Sequence, residues 1–189
     1  MRKLLLLGIL FPLIAEASWS LDSSRSEISF ISIKNLAIAE THDFKSLEGT
    51  LDQHGKLKLT IDLDSVQTRI PIRDERMRNL LFETANFRKA TISSVVDLSF
   101  SQSMSVGDIH QSAETFTLEI RGHKSSAEVD LAITLTRDGN VRVDSVRPVI
   151  INASNYDMTT GIEALRVIAK LASISEAVPV SFNLFFKKY

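Results

Sequence analysis

Apolar and polar residues alternate along most of this chain. The alternation is most regular over residues 56–64, whose apolar members are Leu57, Leu59, Ile61 and Leu63. Because successive side chains of a β-strand point to opposite faces, this period of two predicts an antiparallel strand with one buried face. The same pattern predicts further strands over residues 27–33, 44–51, 92–100, 116–120, 129–135, 141–143 and 178–186.

Two segments follow a helical period instead. Residues 64–87 start at the end of a strand, cross a polar turn and change direction at Pro71, which cannot continue a sheet ladder. From about residue 73, three apolar residues are spaced to share one helical face: Met77, Leu80 and Leu81. A second helix is predicted over residues 161–173. We expect the first helix, with Phe82 and Phe87 behind it, to lie across an opening in the sheet.

These elements predict an all-β domain. The chain has 189 residues, no internal repeat and no low-complexity linker, so one domain with a substantial core is expected. Eight short strands and two short helices are typical of a sandwich or a barrel. A closed barrel of eight strands has an interior just wide enough to be filled by side chains or to hold one small ligand.

The first 17 residues have the three parts of a secretory signal peptide. Arg2 and Lys3 precede an apolar run over residues 4–14, which is too short to span a bilayer. Ala15 and Ala17 then form an A-x-A cleavage site. We therefore expect export, cleavage near Ala17 and a mature domain over residues 18–189. The alternative is an uncleaved N-terminal anchor.

Charge and cysteine content exclude several classes of function. The formal charge is −1 at pH 7 and basic residues alternate with acidic ones, so we expect no nucleic-acid partner. The sequence has no cysteine, which excludes disulfides, thiol catalysis, thiolate metal sites and an acylated N-terminal cysteine. The mature protein is therefore expected to be soluble.

The polar residues do not predict an active site or a metal site. The four histidines are scattered and we expect all of them at the surface: His42, His54, His110 and His123. There is no G-x-S-x-G motif. Ser65 and Thr68 are expected to bond backbone groups in the turn before the first helix. Arg73 and Asp74 are adjacent on that helix and so point in different directions. We predict that the chain is not an enzyme.

The aromatic residues are more informative. The chain has ten Phe, one Trp and two Tyr, a bias toward rings without a polar group. Such rings on alternating strands can fill a core. Alternatively, they line an apolar lumen that binds a hydrophobic chain. The candidate ligand-binding residues are Phe30, Leu59, Ile61, Phe82, Phe87, Phe100, Phe116, Leu118, Ile133 and Phe182.

The order and spacing of several short motifs resemble the YceI-like family over nearly the whole mature chain. These motifs are Trp19-Ser20-Leu21; Phe44-x-x-Leu47-x-Gly49; Ser65-Val66-x-Thr68 with Arg73-Asp74; the three residues Phe82, Phe87 and Ala90; and Leu118-x-Ile120-Arg121-Gly122. Two departures from the family pattern are visible. Arg88 replaces a usual proline, and Asp157 stands where glycine is common.

The resemblance implies an eight-stranded, antiparallel, lipocalin-like barrel with two short helices. It also implies export to the periplasm and binding of a polyisoprenoid or similar long amphiphile in the interior, often by a dimer, without catalytic residues. No cofactor is expected apart from a bound isoprenoid lipid or quinone. The expected partners are this hydrophobic small molecule, a second copy of the chain and a membrane in transient contact.

Two other functions compete with a periplasmic lipid carrier. An integral outer-membrane barrel is suggested by the alternating last strand and Tyr189, but such barrels have Trp and Tyr girdles and a polar lumen. An enzyme acting on a lipid-like substrate would need polar groups that converge at the cavity.

Overall fold

The computed structural model describes residues 19–189. The predicted signal peptide, residues 1–17, lies outside the described residues. The described strands are β1 Trp19–Leu21, β2 Glu27–Lys34, β3 Ile38–Phe44, β4 Leu47–Leu51, β5 Lys56–Asp62, β6 Val66–Gln67, β7 Lys89–Val95, β8 Ile109–Ile120, β9 His123–Leu135, β10 Val141–Ser145, β11 Val149–Asn152 and β12 Ala177–Lys188.

The strands close into an eight-stranded antiparallel barrel. β1 and β2 act as one interrupted strand, as do β3 and β4, β5 and β6, and β10 and β11, so twelve strands occupy eight positions. Each position pairs with the next one along the chain. The last strand, β12, returns to the first, where Phe186 pairs with Leu21 and Phe182 with Ile28. The predicted fold class is confirmed.

The two faces of the barrel wall differ in chemistry. On β5, Leu57, Leu59 and Ile61 are buried inside, whereas Lys56 and Lys58 are exposed outside. An integral outer-membrane barrel has the opposite arrangement, with an apolar outer band and a polar lumen.

Two helical segments cover one end of the barrel. The first is α1, Pro71–Arg76, which continues as a π-helix, Met77–Phe82. The second is α2, Thr159–Ile168. They pack against each other at Gly161, where an added Cβ would lie 2.5 Å from the Leu80 carbonyl oxygen. We call these two segments the helical cover. No helix in residues 19–189 is long and apolar enough to cross a membrane.

Several element boundaries differ from those predicted. The first helix starts at Pro71 rather than near residue 73, because proline is suited to the first helical position. The second helix is shifted toward the N-terminus and ends at Ile168. The alternation predicts no strand between residues 100 and 116, but β8 already begins at Ile109, which pairs with Thr134 of β9.

Candidate functional site

The turn between β5 and α1 positions the helical cover. The Ser65 hydroxyl donates to the Asp62 carbonyl oxygen at 2.6 Å, as expected for a residue that bonds the backbone of its own turn. Thr68 differs from the prediction because its principal partner is a side chain. Its backbone N–H and hydroxyl donate to the Asp74 carboxylate at 2.7 and 2.5 Å. Asp74 is thereby held by the turn, while the neighbouring Arg73 points toward the barrel wall.

The barrel encloses a cavity of about 560 Å³. This volume lies within the range of about 300–1,000 Å³ that is usual for small-molecule sites. All eight strand positions and both helical segments contribute to the wall, which is almost entirely apolar. The interior is therefore not filled by its own side chains.

The cavity is elongated along the barrel. On β9, alternate residues from Ser125 to Ile133 line it, a span of about 26 Å at about 3.3 Å per residue. Its far end is bounded by Trp19, whose indole N–H donates to the Gly139 carbonyl oxygen at 3.0 Å. Its near end is bounded by the helical cover, where Ile70 and Ile72 line it. A cavity of this shape suits a long-chain ligand rather than a flat or spherical one.

Nine of the ten candidate ligand-binding residues lie on the cavity wall. They are Phe30, Leu59, Ile61, Phe82, Phe100, Phe116, Leu118, Ile133 and Phe182. Phe87 does not belong to this wall. Its side chain is 36% exposed, and the Arg121 guanidinium lies 5.7 Å from its ring centroid. The chain turns outward at Glu83, which has a left-handed backbone conformation and ends the π-helix.

Polar side chains converge on the cavity at its near end, which sequence reasoning missed. Lys34 Nζ and Arg73 Nη1 both bond Oε2 of Glu40, at 2.7 and 2.8 Å. The Ser32 hydroxyl lies 2.8 Å from Nε2 of His42. These five residues line the cavity together with Arg76. We call the six residues Ser32, Lys34, Glu40, His42, Arg73 and Arg76 the mouth cluster.

The expectation that every histidine lies at the surface is wrong for His42, which is only 2% exposed. Its ring packs edge-on against Phe30, with centroids 5.2 Å apart. Burial lowers the pKa of His42, and the positive charge of Arg73 lowers it further. The imidazole is therefore neutral at pH 7. His54 and His123 are exposed as expected, while His110 lies in β8 and stacks on Phe100 at 4.4 Å.

The mouth cluster has more positive than negative charge. The single carboxylate of Glu40 is shared by Lys34 and Arg73, and hydrogen bonding from Lys34 lowers its pKa. Arg76 forms no ion pair or side-chain hydrogen bond with any described residue. Within residues 19–189, Nδ1 of His42 and Nε of Arg73 are buried and have no hydrogen-bond partner.

The described residues contain no group of three His, Asp or Glu side chains placed to hold a metal ion.

A signal for the mouth cluster is present in the sequence. The inward residues of β2 are Ile28, Phe30, Ser32 and Lys34, so its inner face changes from apolar to charged toward the helical cover.

Comparison with known proteins agrees with this architecture. The sequence matches the YceI-like domain over residues 19–186. One solved structure is that of a polyisoprenoid-binding domain from Saccharophagus degradans, implicated in plant cell wall breakdown, whose sequence is 37% identical to this chain. It superimposes with a TM-score of 0.86, covering 89% of this chain and 97% of that one.

Two further solved structures share the fold at lower identity. BcnA from Burkholderia cenocepacia is 18% identical, with a TM-score of 0.65 over 87% of this chain and 98% of its own. The YCEI protein of Campylobacter jejuni is also 18% identical, with a TM-score of 0.55 over 83% and 90%. No curated protein matches the sequence. Because the YceI-like domain spans nearly all the described residues, the chain belongs to the YceI-like family.

Proposed function

We propose that this chain is an exported periplasmic protein that binds an isoprenoid lipid, or a similar long-chain amphiphile, inside its barrel and carries or sequesters it without catalysis. The observation that carries this proposal is the elongated apolar cavity of about 560 Å³. A hydrophobic tail would lie along the lumen, and its polar end would lie at the mouth cluster.

The energetics of burial favour such a ligand. Each methylene group removed from water contributes about 0.8 kcal/mol, so ten buried carbon atoms contribute about 8 kcal/mol before the costs of association. A lumen lined by Phe30, Phe116 and Phe182 offers few polar partners, so a hydrophilic ligand would lose hydrogen bonds to water on entering.

Family membership supports the same ligand class. The neighbour from Saccharophagus degradans is a polyisoprenoid-binding domain and is 37% identical to this chain. The signal-peptide pattern of residues 1–17 supports export. Residues 18–189 would then form the mature lipid-binding domain.

The test is native mass spectrometry, followed by organic extraction, of full-length protein expressed with its own N-terminus and purified from a periplasmic fraction. We expect a reproducible extra mass that extracts as an isoprenoid lipid. A protein that stays unliganded after incubation with quinones and polyprenyl lipids would overturn the proposal. Recovery from the cytoplasm with residues 1–17 intact would overturn the periplasmic part alone.

A pair of alanines on β9 provides a matched control. Ala127 lines the cavity, whereas Ala132, on the same strand, faces outward. Ala127→Trp should fill part of the lumen and abolish the extra mass, while Ala132→Trp should retain it. Circular dichroism and thermal unfolding of both variants check that the barrel is folded. If both variants retain the lipid equally, it is bound somewhere other than the lumen.

One contact favours a second candidate function, hydrolysis of a lipid ester. The Ser32 hydroxyl lies 2.8 Å from Nε2 of His42, within reach for a nucleophile and its general base. The geometry supports this function less well, because Nδ1 of His42 contacts no carboxylate that would orient the ring. Hydrolysis of long-chain p-nitrophenyl esters that Ser32→Ala abolishes would favour this candidate. Hydrolysis that persists in Ser32→Ala would exclude Ser32 as the nucleophile.

A further inference from the structure

The charges of the mouth cluster do not balance. Lys34, Arg73 and Arg76 supply three positive charges, and Glu40 supplies one negative charge. The Lys34 and Arg73 side chains are only 27% and 26% exposed. Charges in such partly enclosed positions are poorly screened by water, so an excess of positive charge there favours an anionic partner.

Two nitrogen atoms of the cluster also lack partners. Nε of Arg73 can only donate a hydrogen bond, and it is buried without an acceptor among the described residues. Nδ1 of His42 is buried in the same way, and its ring is fixed by the contact of Nε2 with Ser32. If Nε2 accepts the Ser32 proton, Nδ1 carries a hydrogen and is a second unpaired donor. A ligand oxygen that reaches either nitrogen would supply its missing acceptor.

We propose that the mouth cluster binds an anionic oxygen headgroup, a phosphate or a carboxylate, of the amphiphile whose tail occupies the lumen. This inference rests on the proposed function and specifies which lipids fit it. Arg73 and Arg76 supply charge and hydrogen-bond donors, Lys34 adds charge, and His42 donates from the wall of the barrel. Arginine is well suited to this role because its planar group can form paired hydrogen bonds with phosphate or carboxylate oxygens.

The position of the cluster agrees with a headgroup site. Ser32 and Phe30 are successive inward residues of β2, about 6.6 Å apart. The mouth cluster therefore borders directly on the apolar wall. The tail of a bound amphiphile would therefore start at Phe30 and run toward Trp19. A neutral headgroup, such as an alcohol, could accept hydrogen bonds here but would leave the excess positive charge unmatched.

The test compares three ligands with the same tail: geranylgeranyl monophosphate, geranylgeranoic acid and geranylgeraniol. Trp19, the one tryptophan of the chain, lines the cavity and reports binding through its fluorescence. We expect the full chain to bind both anions at least about tenfold more tightly than the alcohol at low salt. A preference for the phosphate alone would also support the proposal and would narrow the headgroup to phosphate.

Arg76 and Arg78 form a matched pair of variants on the same helical segment. Arg76 lines the cavity, whereas Arg78 lies 3.8 Å from Asp64 outside it. Arg76→Gln should remove most of the preference for the anions, because it weakens binding of the two anions far more than binding of the alcohol. Arg78→Gln should leave both affinities as in the wild type. Arg76 is the better probe than Arg73, because Arg73 also donates to the Thr68 carbonyl oxygen and thereby supports the fold.

The outcomes separate this inference from the proposed function. Equal affinity of the wild type for the anions and the alcohol would overturn the headgroup site while leaving the lipid-binding barrel. Equal losses in Arg76→Gln and Arg78→Gln would likewise show that the preference reflects overall charge rather than this site. If none of the three ligands binds, the proposed function fails and the headgroup site fails with it.

Discussion

The Arg121 guanidinium donates a 2.6 Å hydrogen bond to the carboxylate of Glu83, and so joins the turn between β8 and β9 to the end of the π-helix. The same side chain donates to the backbone carbonyl oxygen of Asp157, shortly before α2. Glu83 and Asp157 both have left-handed backbone conformations and each ends a helical turn. One arginine, only 12% exposed, therefore holds both segments of the helical cover on the barrel.

Removing this arginine should loosen the helical cover. We expect Arg121→Ala to lower the free energy of unfolding by about 2 kcal/mol, because charge-assisted hydrogen bonds at a mostly buried group are lost together. Amides of the π-helix and α2 should also exchange faster with solvent. Chemical denaturation and hydrogen exchange measure the two effects. The control is Lys124→Ala, whose exposed ion pair with Glu119 is expected to contribute less than about 0.5 kcal/mol. Similar losses in the two variants would contradict this role for Arg121.

Close contact between the two helical segments depends on Gly161. A Cβ at this position would lie 2.5 Å from the Leu80 carbonyl oxygen and 2.9 Å from the Leu81 Cα, and neither backbone atom can turn aside. We expect Gly161→Ala to destabilise the protein by about 1–3 kcal/mol through overpacking, although alanine is the better helix former. Thermal and chemical unfolding measure this loss. Thr160→Ala, at the exposed neighbouring position, should change stability by no more than about 0.5 kcal/mol. A stabilised Gly161→Ala protein would show that the helices can separate without cost.

The departure from the family pattern at Asp157 has a structural consequence. Asp157 has φ of 54° and ψ of 40°, a left-handed conformation that glycine adopts without steric cost. We expect Asp157→Gly to raise the free energy of unfolding by about 0.5–1 kcal/mol, because glycine removes the steric cost of this conformation. The substitution keeps the hydrogen bond from Arg121, since that bond goes to the backbone of residue 157 and not to its exposed side chain.

The neighbouring position provides a control of opposite sign. Asn155 lies within the 3₁₀ turn Ala153–Tyr156 and has an ordinary backbone conformation. Asn155→Gly should therefore lower stability by about 0.5–1 kcal/mol through the greater entropy of the unfolded chain. Denaturant unfolding of both variants decides the question. A loss in Asp157→Gly comparable to that in Asn155→Gly would show that the aspartate is not strained.

The strands were predictable from the sequence, because alternation depends only on which residues face the interior. Leu57, Leu59 and Ile61 are inward as predicted. Closure of the sheet was not predictable from this pattern. It depends on pairing between Leu21 and Phe186, at opposite ends of the domain, which local periodicity does not encode. The choice of a barrel over a sandwich came from the family resemblance, and pairing of β12 with β1 confirms it.

The site was only partly predictable for two physical reasons. Phe87 is predicted in the lumen because it is a large apolar side chain shortly after the first helix, but the backbone reverses at Glu83 and turns the chain outward. Glu40 is absent from the candidate residues, and His42 is wrongly expected at the surface, because the turn before β3 interrupts the alternation. Inside β3 their spacing of two does place both side chains on the inner face. A buried histidine on a short strand of polar residues cannot be recognised from its neighbours in sequence alone.

The buried imidazole of His42 predicts a pH dependence of stability. Its pKa in the folded protein is below the unfolded value of about 6.5, chiefly because burial disfavours the charged form. As the pH falls below about 6.5, the unfolded chain takes up a proton that the folded protein does not, so stability is lost with decreasing pH. The charged groups that act on this ring are Arg73, Arg69, Glu40 and Asp74, and the first two oppose its protonation.

We therefore expect the free energy of unfolding of the ligand-free protein to fall between pH 7 and pH 5, and His42→Gln to reduce this fall. Urea denaturation at half-unit pH intervals measures the slope for each protein. Carboxylates with lowered pKa values, such as Glu40, contribute at lower pH and so do not account for a change in this window. His123→Gln removes an exposed imidazole and serves as the control. If His42→Gln keeps the wild-type slope, the loss of stability below pH 6.5 has another origin, and His42 is protonated as readily in the folded protein as in the unfolded chain.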